Sequence, residues 1–224
     1  MERKIDTVIF DLDGTLLNTL EDMADSVNYV MSTYGFPQHT VSQIRSFIGN
    51  GIRKLLERSL PAGSSQELVD EATEKYRAYY QHHCMIKTQP YDGIADMVQS
   101  LAQAGIKMAI VTNKNDDAAQ KMCRHYFGSY VNVCYGQRDS VPKKPERAMI
   151  DLALADLGSF SENSVYVGDS EVDMQTAANA DMPCIVCCWG FRDREFLEEA
   201  ARDSITETIF VETPEEISAF ITGK

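Results

Sequence analysis

The stretch that decides the fold reads VIFDLDGTLLNT and occupies residues 8–19. A short apolar run ends there in two carboxylates, Asp11 and Asp13, which Gly14 and Thr15 follow. An apolar run that is bounded by turn residues is typical of a buried strand. Two like charges side by side at the end of such a strand repel each other unless a cation or a chemical role compensates them. The stretch therefore predicts a buried strand that ends in a functional site.

Further apolar runs bounded by turn residues recur along the chain. They lie at residues 107–112, 131–135, 165–167, 185–189 and 209–211. Segments with helical spacing separate most of these runs, for example at residues 93–104, 116–127 and 145–157. Strands that alternate with helices predict an α/β fold with a doubly wound, Rossmann-like parallel sheet. Ligands of such sheets bind at the carboxyl ends of the strands.

The segment of residues 18–83 departs from this alternation, because it contains no strand candidate. Apolar residues recur there at helical spacing, in four successive segments at residues 20–34, 40–48, 50–60 and 66–82. We therefore predict two domains. Residues 1–17 and 84–224 form the α/β core, and residues 18–83 form an all-helical cap domain inserted beside the edge of the sheet that carries the site.

The charge balance and the cysteines restrict partners and location. The chain of 224 residues carries 21 basic and 34 acidic side chains, a net charge of −13. Nucleic acids and anionic membranes would be repelled, so we expect neither as a partner. No apolar stretch approaches the roughly 20 residues that span a bilayer, and the amino terminus lacks the features of a signal peptide. The six cysteines form no recognisable disulfide framework. These features together predict a cytoplasmic protein, and they do not determine its oligomeric state.

Polar residues that could carry chemistry follow four of the predicted strands. They are Asp11, Asp13 and Thr15; Thr112 and Asn113; Lys143 and Lys144; and Asp169, Ser170 and Asp173. This set fits phosphoryl transfer, in which a carboxylate attacks phosphorus and divides hydrolysis into two easier steps. Because carboxylate and phosphate repel each other, a divalent cation must bridge them, and hard oxygen ligands favour Mg²⁺.

Each member of the set has an expected role. We expect Asp11 to be the nucleophile that forms an aspartyl phosphate, and Asp13 to be the acid and then the base. The predicted metal ligands are Asp11, Asp13 and Asp169, with a main-chain carbonyl in the set. The predicted phosphate-binding groups are Thr112, the Asn113 amide and Lys144. Ser170 and Asp173 are expected to contact the metal ligands through hydrogen bonds, without contacting the metal itself. Capping of the following helix is the alternative for the aspartates.

DLDGT, Thr112, Lys144 and GDSEVD resemble the four motifs of the haloacid dehalogenase superfamily, and the resemblance covers nearly the whole chain. It implies a doubly wound core with a mobile helical cap that closes over the site. Three stretches resemble the phosphoglycolate phosphatase branch: VTNK, IGNGIRKLLERSL and CWGFRDREFL. The resemblance implies a Mg²⁺-dependent phosphatase of small phosphorylated metabolites, above all 2-phosphoglycolate. Asn50, Gly51 and Arg53 of the cap would then lie near the substrate, and an exposed helix face is the alternative for Arg53.

Two departures from the family pattern and several rival functions stay open. Asn18 stands where the superfamily often has aspartate, and Asp181 stands where glycine is usual, although aspartate tolerates a left-handed backbone better than most residues. A sugar-phosphate mutase similar to β-phosphoglucomutase shares the core machinery. A pyrophosphatase or nucleotidase of the same superfamily fits as well. A non-catalytic phosphate-binding regulatory protein is the remote alternative.

Overall fold

The computed structural model describes residues 4–49, 51–202 and 204–223. The chain forms two compact units. The first comprises Met1–Leu17 with Pro90–Lys224, and the second comprises Asn18–Gln89. Among the described residues, no helix combines the length and the apolar character that crossing a bilayer requires. All six cysteines are free thiols, and five of them are buried.

A parallel sheet of six strands forms the centre of the first unit. Its strands are β1 (Thr7–Phe10), β4 (Lys107–Asn115), β5 (Val133–Gln137), β6 (Ser164–Gly168), β7 (Cys184–Cys187) and β8 (Thr208–Val211), in the order β5-β4-β1-β6-β7-β8. Along the chain, β4 and β5 are added on one side of β1, and β6, β7 and β8 are then added on its other side. The predicted doubly wound parallel sheet is confirmed. Its switch point lies at the carboxyl end of β1, where such sheets bind their ligands.

In the part of the first unit that the structure describes, six helices flank the sheet. They are α5 (Ile94–Gln103), α6 (Asp116–Phe127), α7 (Ala148–Leu157), α8 (Glu171–Asn179), α9 (Arg194–Arg202) and α10 (Pro214–Thr222), and a 3₁₀ turn spans Ser161–Asn163. All four residues of β1 are buried, as expected for a strand covered on both faces. Phe10 lies opposite Ile110 of β4 and Val167 of β6. The residues that follow these positions therefore emerge at one level of the sheet edge.

Four helices form the second unit. They are α1 (Leu20–Thr33), α2 (Val41–Phe47), α3 (Ile52–Ser59) and α4 (Gln66–His83). Thr40 caps α2 by accepting the Gln43 N–H at 3.2 Å, and Ser65 caps α4 by accepting the Leu68 N–H at 3.2 Å. Two short strands, β2 (Leu17–Asn18) and β3 (Gln89–Pro90), pair in a separate sheet.

A buried carboxylate fixes the end of the second unit. Asp22 of α1 is 2% exposed, and it accepts the N–H groups of Ile86, Lys87 and Thr88 at 3.1, 3.0 and 2.9 Å. The Thr88 hydroxyl donates to the same carboxylate at 2.8 Å. We call this arrangement the Asp22 clasp. The sequence analysis predicts that the core resumes at residue 84, where the helical spacing stops. The compact unit extends to Gln89, and the clasp lies within it.

Candidate active site

Asp11 is the first residue after β1 and lies at the switch point of the sheet. Its N–H donates to the Val167 carbonyl of β6 at 2.8 Å, and its side chain is only 12% exposed. Burial raises the pKa of the Asp11 carboxyl to about 6, although the neighbouring Lys144 ammonium lowers it. Lys144 Nζ lies 2.9 Å from Asp11 Oδ1, yet within the described part of the chain no hydrogen bond with good geometry reaches that oxygen. Asp11 therefore offers a buried oxygen to a further ligand.

Lys144 supplies a buried positive charge beside Asp11. Its ammonium also lies 2.8 Å from Asp173 Oδ1 and 2.9 Å from the Tyr166 hydroxyl. Burial lowers the pKa of Lys144, but the carboxylates of Asp11 and Asp173 outweigh burial and raise it well above its ordinary value. Lys144 is therefore a fixed cation in this site.

Asp169 directly follows β6, on the strand neighbouring β1. Its Oδ1 accepts the Thr15 hydroxyl at 3.1 Å, and its Oδ2 accepts the Phe191 N–H at 2.8 Å. A Cβ at Gly190 would lie 2.3 Å from the Asp169 Cβ, and a Cβ at Gly14 would lie 2.4 Å from Asp169 Oδ2. Only glycine fits at these two positions. Burial, with the nearby carboxylates, raises the pKa of Asp169 well above its ordinary value.

Asp173 lies on the first turn of α8, behind Asp11 and Asp169. Its Oδ2 accepts the Ser170 hydroxyl at 2.6 Å, the Ser170 N–H at 3.0 Å and the Asp169 N–H at 3.2 Å. Its Oδ1 accepts from Lys144 and from the Tyr166 hydroxyl. Both oxygens are thus already engaged, and Asp173 fixes the main chain of Asp169 and the Lys144 ammonium while it also caps α8.

The arrangement of carboxylates suits a divalent cation. Asp11, Asp169 and Asp173 each place one oxygen within 4.8 Å of the others. Asp11 Oδ1 is buried beside Lys144 Nζ at 2.9 Å and accepts no hydrogen bond of good geometry from the described residues, which leaves it available to a cation. Hard, anionic oxygen donors of this kind fit Mg²⁺.

Asp13 stays a predicted metal ligand, through its main-chain carbonyl. Within the described part of the chain, its carboxylate is not in the cluster of Asp11, Asp169 and Asp173. Lys114 Nζ contacts both of its oxygens, at 2.8 and 3.0 Å.

Thr112 and Asn113 lie in the second half of β4, where the pairing with β5 becomes irregular between Val111 and Asn115. The Asn113 side chain donates to the Lys144 carbonyl at 3.1 Å and accepts the Lys144 N–H at 2.9 Å. It therefore fixes the loop that carries Lys144. For a bound anion, Asn113 retains its main-chain N–H, and Thr112 retains its hydroxyl proton, since its oxygen accepts the Lys114 N–H at 3.3 Å.

The predicted cap residues lie in the second unit. Gly51 precedes α3 with a φ of +91°, which favours glycine. Arg53 donates to Asp70 at 2.8 Å and to Gln66 at 2.6 Å, as an exposed helix residue would. Asn50 lies outside the described residues.

The sequence analysis missed Lys114 and Tyr166. The tyrosine stands in the apolar run VYVG, which predicts a core residue. Its buried hydroxyl accepts from Lys144 at 2.9 Å, and its one proton is shared between the Val111 carbonyl at 3.0 Å and Asp173 Oδ1 at 3.2 Å. A buried tyrosine needs a hydrogen-bond partner, and that requirement was a usable signal. Lys114 follows Thr112 and Asn113, beyond the apolar run of residues 108–111 in β4, so the local pattern gave no sign that it is buried.

The two departures from the family pattern have clear local accounts. Asp181 has a φ of +58°, the left-handed conformation for which glycine is usual, and its carboxylate pairs with Arg147 at 3.1 Å. The Asn18 side chain accepts the Leu20 N–H at 3.3 Å.

Comparisons with known proteins agree with this architecture. The family model of the haloacid dehalogenase-like hydrolases matches residues 8–187. The phosphoglycolate phosphatase of Xanthomonas campestris pv. campestris is 34% identical over 189 residues, which cover 83% of this chain and 84% of that protein. Phosphoglycolate phosphatase 1 of Pseudomonas aeruginosa is 31% identical over 202 residues, which cover 86% of this chain and 73% of that protein.

A solved structure gives the same result. A protein of Lactobacillus delbrueckii subsp. bulgaricus, provisionally named as a phosphoglycolate phosphatase, matches with a TM-score of 0.91 at 33% identity. The match covers 99% of this chain and 100% of that one. The resemblance inferred from the motifs is therefore confirmed, and the chain belongs to the haloacid dehalogenase-like hydrolases.

Proposed function

We propose that this protein is a Mg²⁺-dependent phosphomonoester hydrolase that acts through an aspartyl phosphate on Asp11. The observation that carries the proposal is the Asp11 oxygen, which is buried and unsatisfied, beside the fixed cation Lys144 and at the switch point of the sheet. The names of the curated relatives support the class of phosphatase. They also favour 2-phosphoglycolate among the small phosphorylated metabolites that could be the substrate.

In the first step, an Asp11 oxygen attacks phosphorus while the bond between phosphorus and the ester oxygen breaks. The electron pair of that bond goes to the leaving oxygen. Lys144 offsets the charge on the phosphoryl oxygens, together with the Thr112 hydroxyl and the Asn113 N–H. Because Tyr166 and Asp173 fix the Lys144 ammonium, little reorganisation is needed as the charge develops.

Asp13 transfers the protons of both steps. It donates a proton to the leaving oxygen in the first step, and it then takes a proton from the water that attacks the aspartyl phosphate. The second step releases inorganic phosphate and regenerates the Asp11 carboxylate. Asp13 follows Asp11 by two residues and is the more exposed of the two, which suits a group that meets the leaving alcohol and the water.

The predicted ligands Asp11 and Asp169 would hold the cation, with the main-chain carbonyl of Asp13. When bound, Mg²⁺ offsets the repulsion between the carboxylates and the phosphate and polarises the phosphoryl oxygens. Thr15, Phe191 and the close-packed Gly14 and Gly190 fix the Asp169 carboxylate for this role.

We assign substrate selection in part to the second unit, as a cap, with Asn50, Gly51 and Arg53 as candidate residues. Domain closure over bound substrate would exclude water from the phosphoryl group until the second step. The cytoplasmic location and the absence of nucleic-acid and membrane partners stay predictions from the sequence.

The test is phosphate release from a panel of small phosphomonoesters with Mg²⁺. We expect the wild-type protein to prefer 2-phosphoglycolate, and we expect chelator or Asp11→Asn to lower the rate by at least about 1000-fold, as loss of a nucleophile does. Mass spectrometry of acid-quenched enzyme should place a phosphoryl group on Asp11. Asp96→Asn, an exposed change on α5, is the matched control and should retain full activity.

Two results would contradict the proposal. Phosphate release that survives Asp11→Asn would exclude Asp11 as the nucleophile. Interconversion of glucose 1-phosphate and glucose 6-phosphate without phosphate release would replace the hydrolase by a mutase.

A further inference from the structure

Lys114 is a buried cation for which the proposed reaction has no assigned role. Among the described lysines, only Lys114 and Lys144 are buried. Lys144 faces Asp11 and Asp173, whereas Lys114 contacts both carboxylate oxygens of Asp13. A lysine of β4 is therefore held at the residue that would protonate the leaving alcohol, and not at the phosphoryl group.

The two partners of this ion pair differ in exposure. The Lys114 side chain is 4% exposed, and that of Asp13 is 20% exposed. The pair is thus open towards solvent on the side of Asp13. An anion that arrives beside Asp13 would compete for the Lys114 ammonium with the partners that this ammonium already has.

The distances limit where such an anion can be. The leaving oxygen must lie within about 3 Å of an Asp13 carboxylate oxygen to receive a proton, and Lys114 Nζ lies 2.8 and 3.0 Å from the two oxygens of that carboxylate. The ammonium therefore lies within about 6 Å of the leaving oxygen. An anionic group on the first carbons of the alcohol falls within that range.

We propose that Lys114 is a specificity-determining residue that selects phosphomonoesters whose alcohol carries a carboxylate next to the ester carbon. This inference rests on the proposed phosphatase function and deepens it. The chain has a net charge of −13, and four carboxylates surround the site, so an additional substrate anion needs its own buried cation. A site that is built for a charged group discriminates strongly against analogues that lack it.

The first test uses the wild-type protein and a matched pair of esters. One is 2-phosphoglycolate, and the other is 2-hydroxyethyl phosphate, which has the same two-carbon skeleton with a neutral CH₂OH group in place of the carboxylate. We expect kcat/KM to be higher for 2-phosphoglycolate by about 10- to 100-fold, the usual effect of a hydrogen bond to a charged group. Equal values would overturn the role of Lys114 and leave the phosphatase standing. No phosphate release from either ester, or from the wider panel, would overturn both.

The second test uses variants. Lys114→Gln should reduce the preference for 2-phosphoglycolate to near unity, and Lys114→Arg should retain a substantial part of it. Lys121→Gln removes the same charge from an exposed position on α6 and should leave the preference unchanged. If Lys114 served only to orient Asp13, Lys114→Gln would slow both esters by the same factor. That result would overturn the proposal.

A binding measurement separates selection from turnover. In Asp11→Asn protein with Mg²⁺, calorimetry gives the affinity for 2-phosphoglycolate without hydrolysis. Adding Lys114→Gln to this variant should weaken binding of 2-phosphoglycolate by about 10- to 100-fold and leave that of 2-hydroxyethyl phosphate nearly unchanged. Equal weakening of the two ligands would count against the proposal.

Discussion

Asp11 is a carboxyl group whose ionised form the folded, metal-free protein disfavours. Its pKa rises from 3.8 to about 6, and this difference corresponds to about 3 kcal/mol. Because the folded-state pKa lies above the unfolded one, this loss of folding stability is fully present above about pH 6. It disappears at lower pH as the carboxyl becomes protonated. Burial is the largest cause of the raised pKa, and the carboxylates of Asp173 and Asp13 raise it further.

The first prediction concerns stability. In chelator at pH 7.5, Asp11→Asn should increase the free energy of unfolding by about 1–3 kcal/mol while it abolishes turnover, because the amide carries no charge. Urea denaturation of both proteins measures this difference. Asp96→Asn should change stability by less than about 0.5 kcal/mol. A less stable Asp11→Asn protein would show that the ion pair with Lys144 outweighs burial.

The second prediction concerns the binding of Mg²⁺ at different pH values. Protons compete with the cation for Asp11 and Asp169, and the pKa of both carboxyls is raised. The association constant for Mg²⁺ should therefore fall by about tenfold between pH 8 and pH 5. Calorimetry in two buffers of different ionisation enthalpy should detect the released protons. Asp11→Asn should lose part of this dependence, and equal affinities at both pH values would contradict the prediction.

At the scale of elements, the Asp22 clasp joins α1 to the segment that follows α4. Three N–H groups and a hydroxyl share one buried carboxylate, so its removal would leave several buried donors unsatisfied. Each such donor typically costs about 1–3 kcal/mol. The clasp should therefore contribute much more to stability than an ion pair on the surface of the same helix.

The third prediction compares two aspartates of α1. Asp22→Ala should lower the free energy of unfolding by about 2–4 kcal/mol. Asp25, whose exposed carboxylate pairs with Lys87 at 2.8 Å, is the matched control, and Asp25→Ala should cost less than about 1 kcal/mol. Chemical denaturation monitored by far-UV circular dichroism gives both values. Similar effects of the two changes would mean that water or other acceptors replace the clasp.

The sheet and the residues at its edge could be predicted from sequence for a simple physical reason. Parallel strands align their carboxyl ends, so Asp11 and Asp169 had to emerge together once β1 and β6 were recognised. The choice of ionic partners could not be predicted in this way. Lys114 lies 101 residues from Asp13, and nothing in the local pattern of β4 indicates their pairing.

The cap illustrates the same limit. Its helices follow from the spacing of apolar residues, whereas the partners of exposed charged residues depend on how the helices pack. Arg53 pairs with Asp70, which lies 17 residues away on α4. The end of the unit could not be predicted from the local sequence either. The carboxylate of Asp22, 64 to 66 residues away, binds the N–H groups of residues 86–88.

At the scale of the whole molecule, the net charge of −13 opposes the approach of an anionic substrate. Lys114 and Lys144 are local exceptions in a site that also contains four carboxylates, namely Asp11, Asp13, Asp169 and Asp173. Bound Mg²⁺ would bring this charge balance close to neutrality. The overall field should therefore govern the rate of encounter, whereas the site governs chemistry.

The fourth prediction follows from this field. When the ionic strength rises from 0.01 to 0.15 M, the Debye length falls from about 30 to about 8 Å, and repulsion between protein and substrate is screened. The value of kcat/KM for 2-phosphoglycolate should rise by about two- to threefold, with kcat almost constant. Stopped-flow or steady-state assays at constant free Mg²⁺ measure this change. A decrease with salt would mean that local positive charge, rather than the net charge, guides the substrate.

The Asp22 clasp also bears on how such proteins diversify. Because the clasp lies entirely within residues 18–89, a recombination event that exchanges this segment carries its own closure with it. A crossover after residue 83 would instead separate the acceptor from its donors and leave a buried carboxylate without partners. The clasp thus marks residues 18–89, rather than the four helices alone, as the segment that carries its own closure, and an exchange of it must also restore the pairing of β2 with β3 at its two ends.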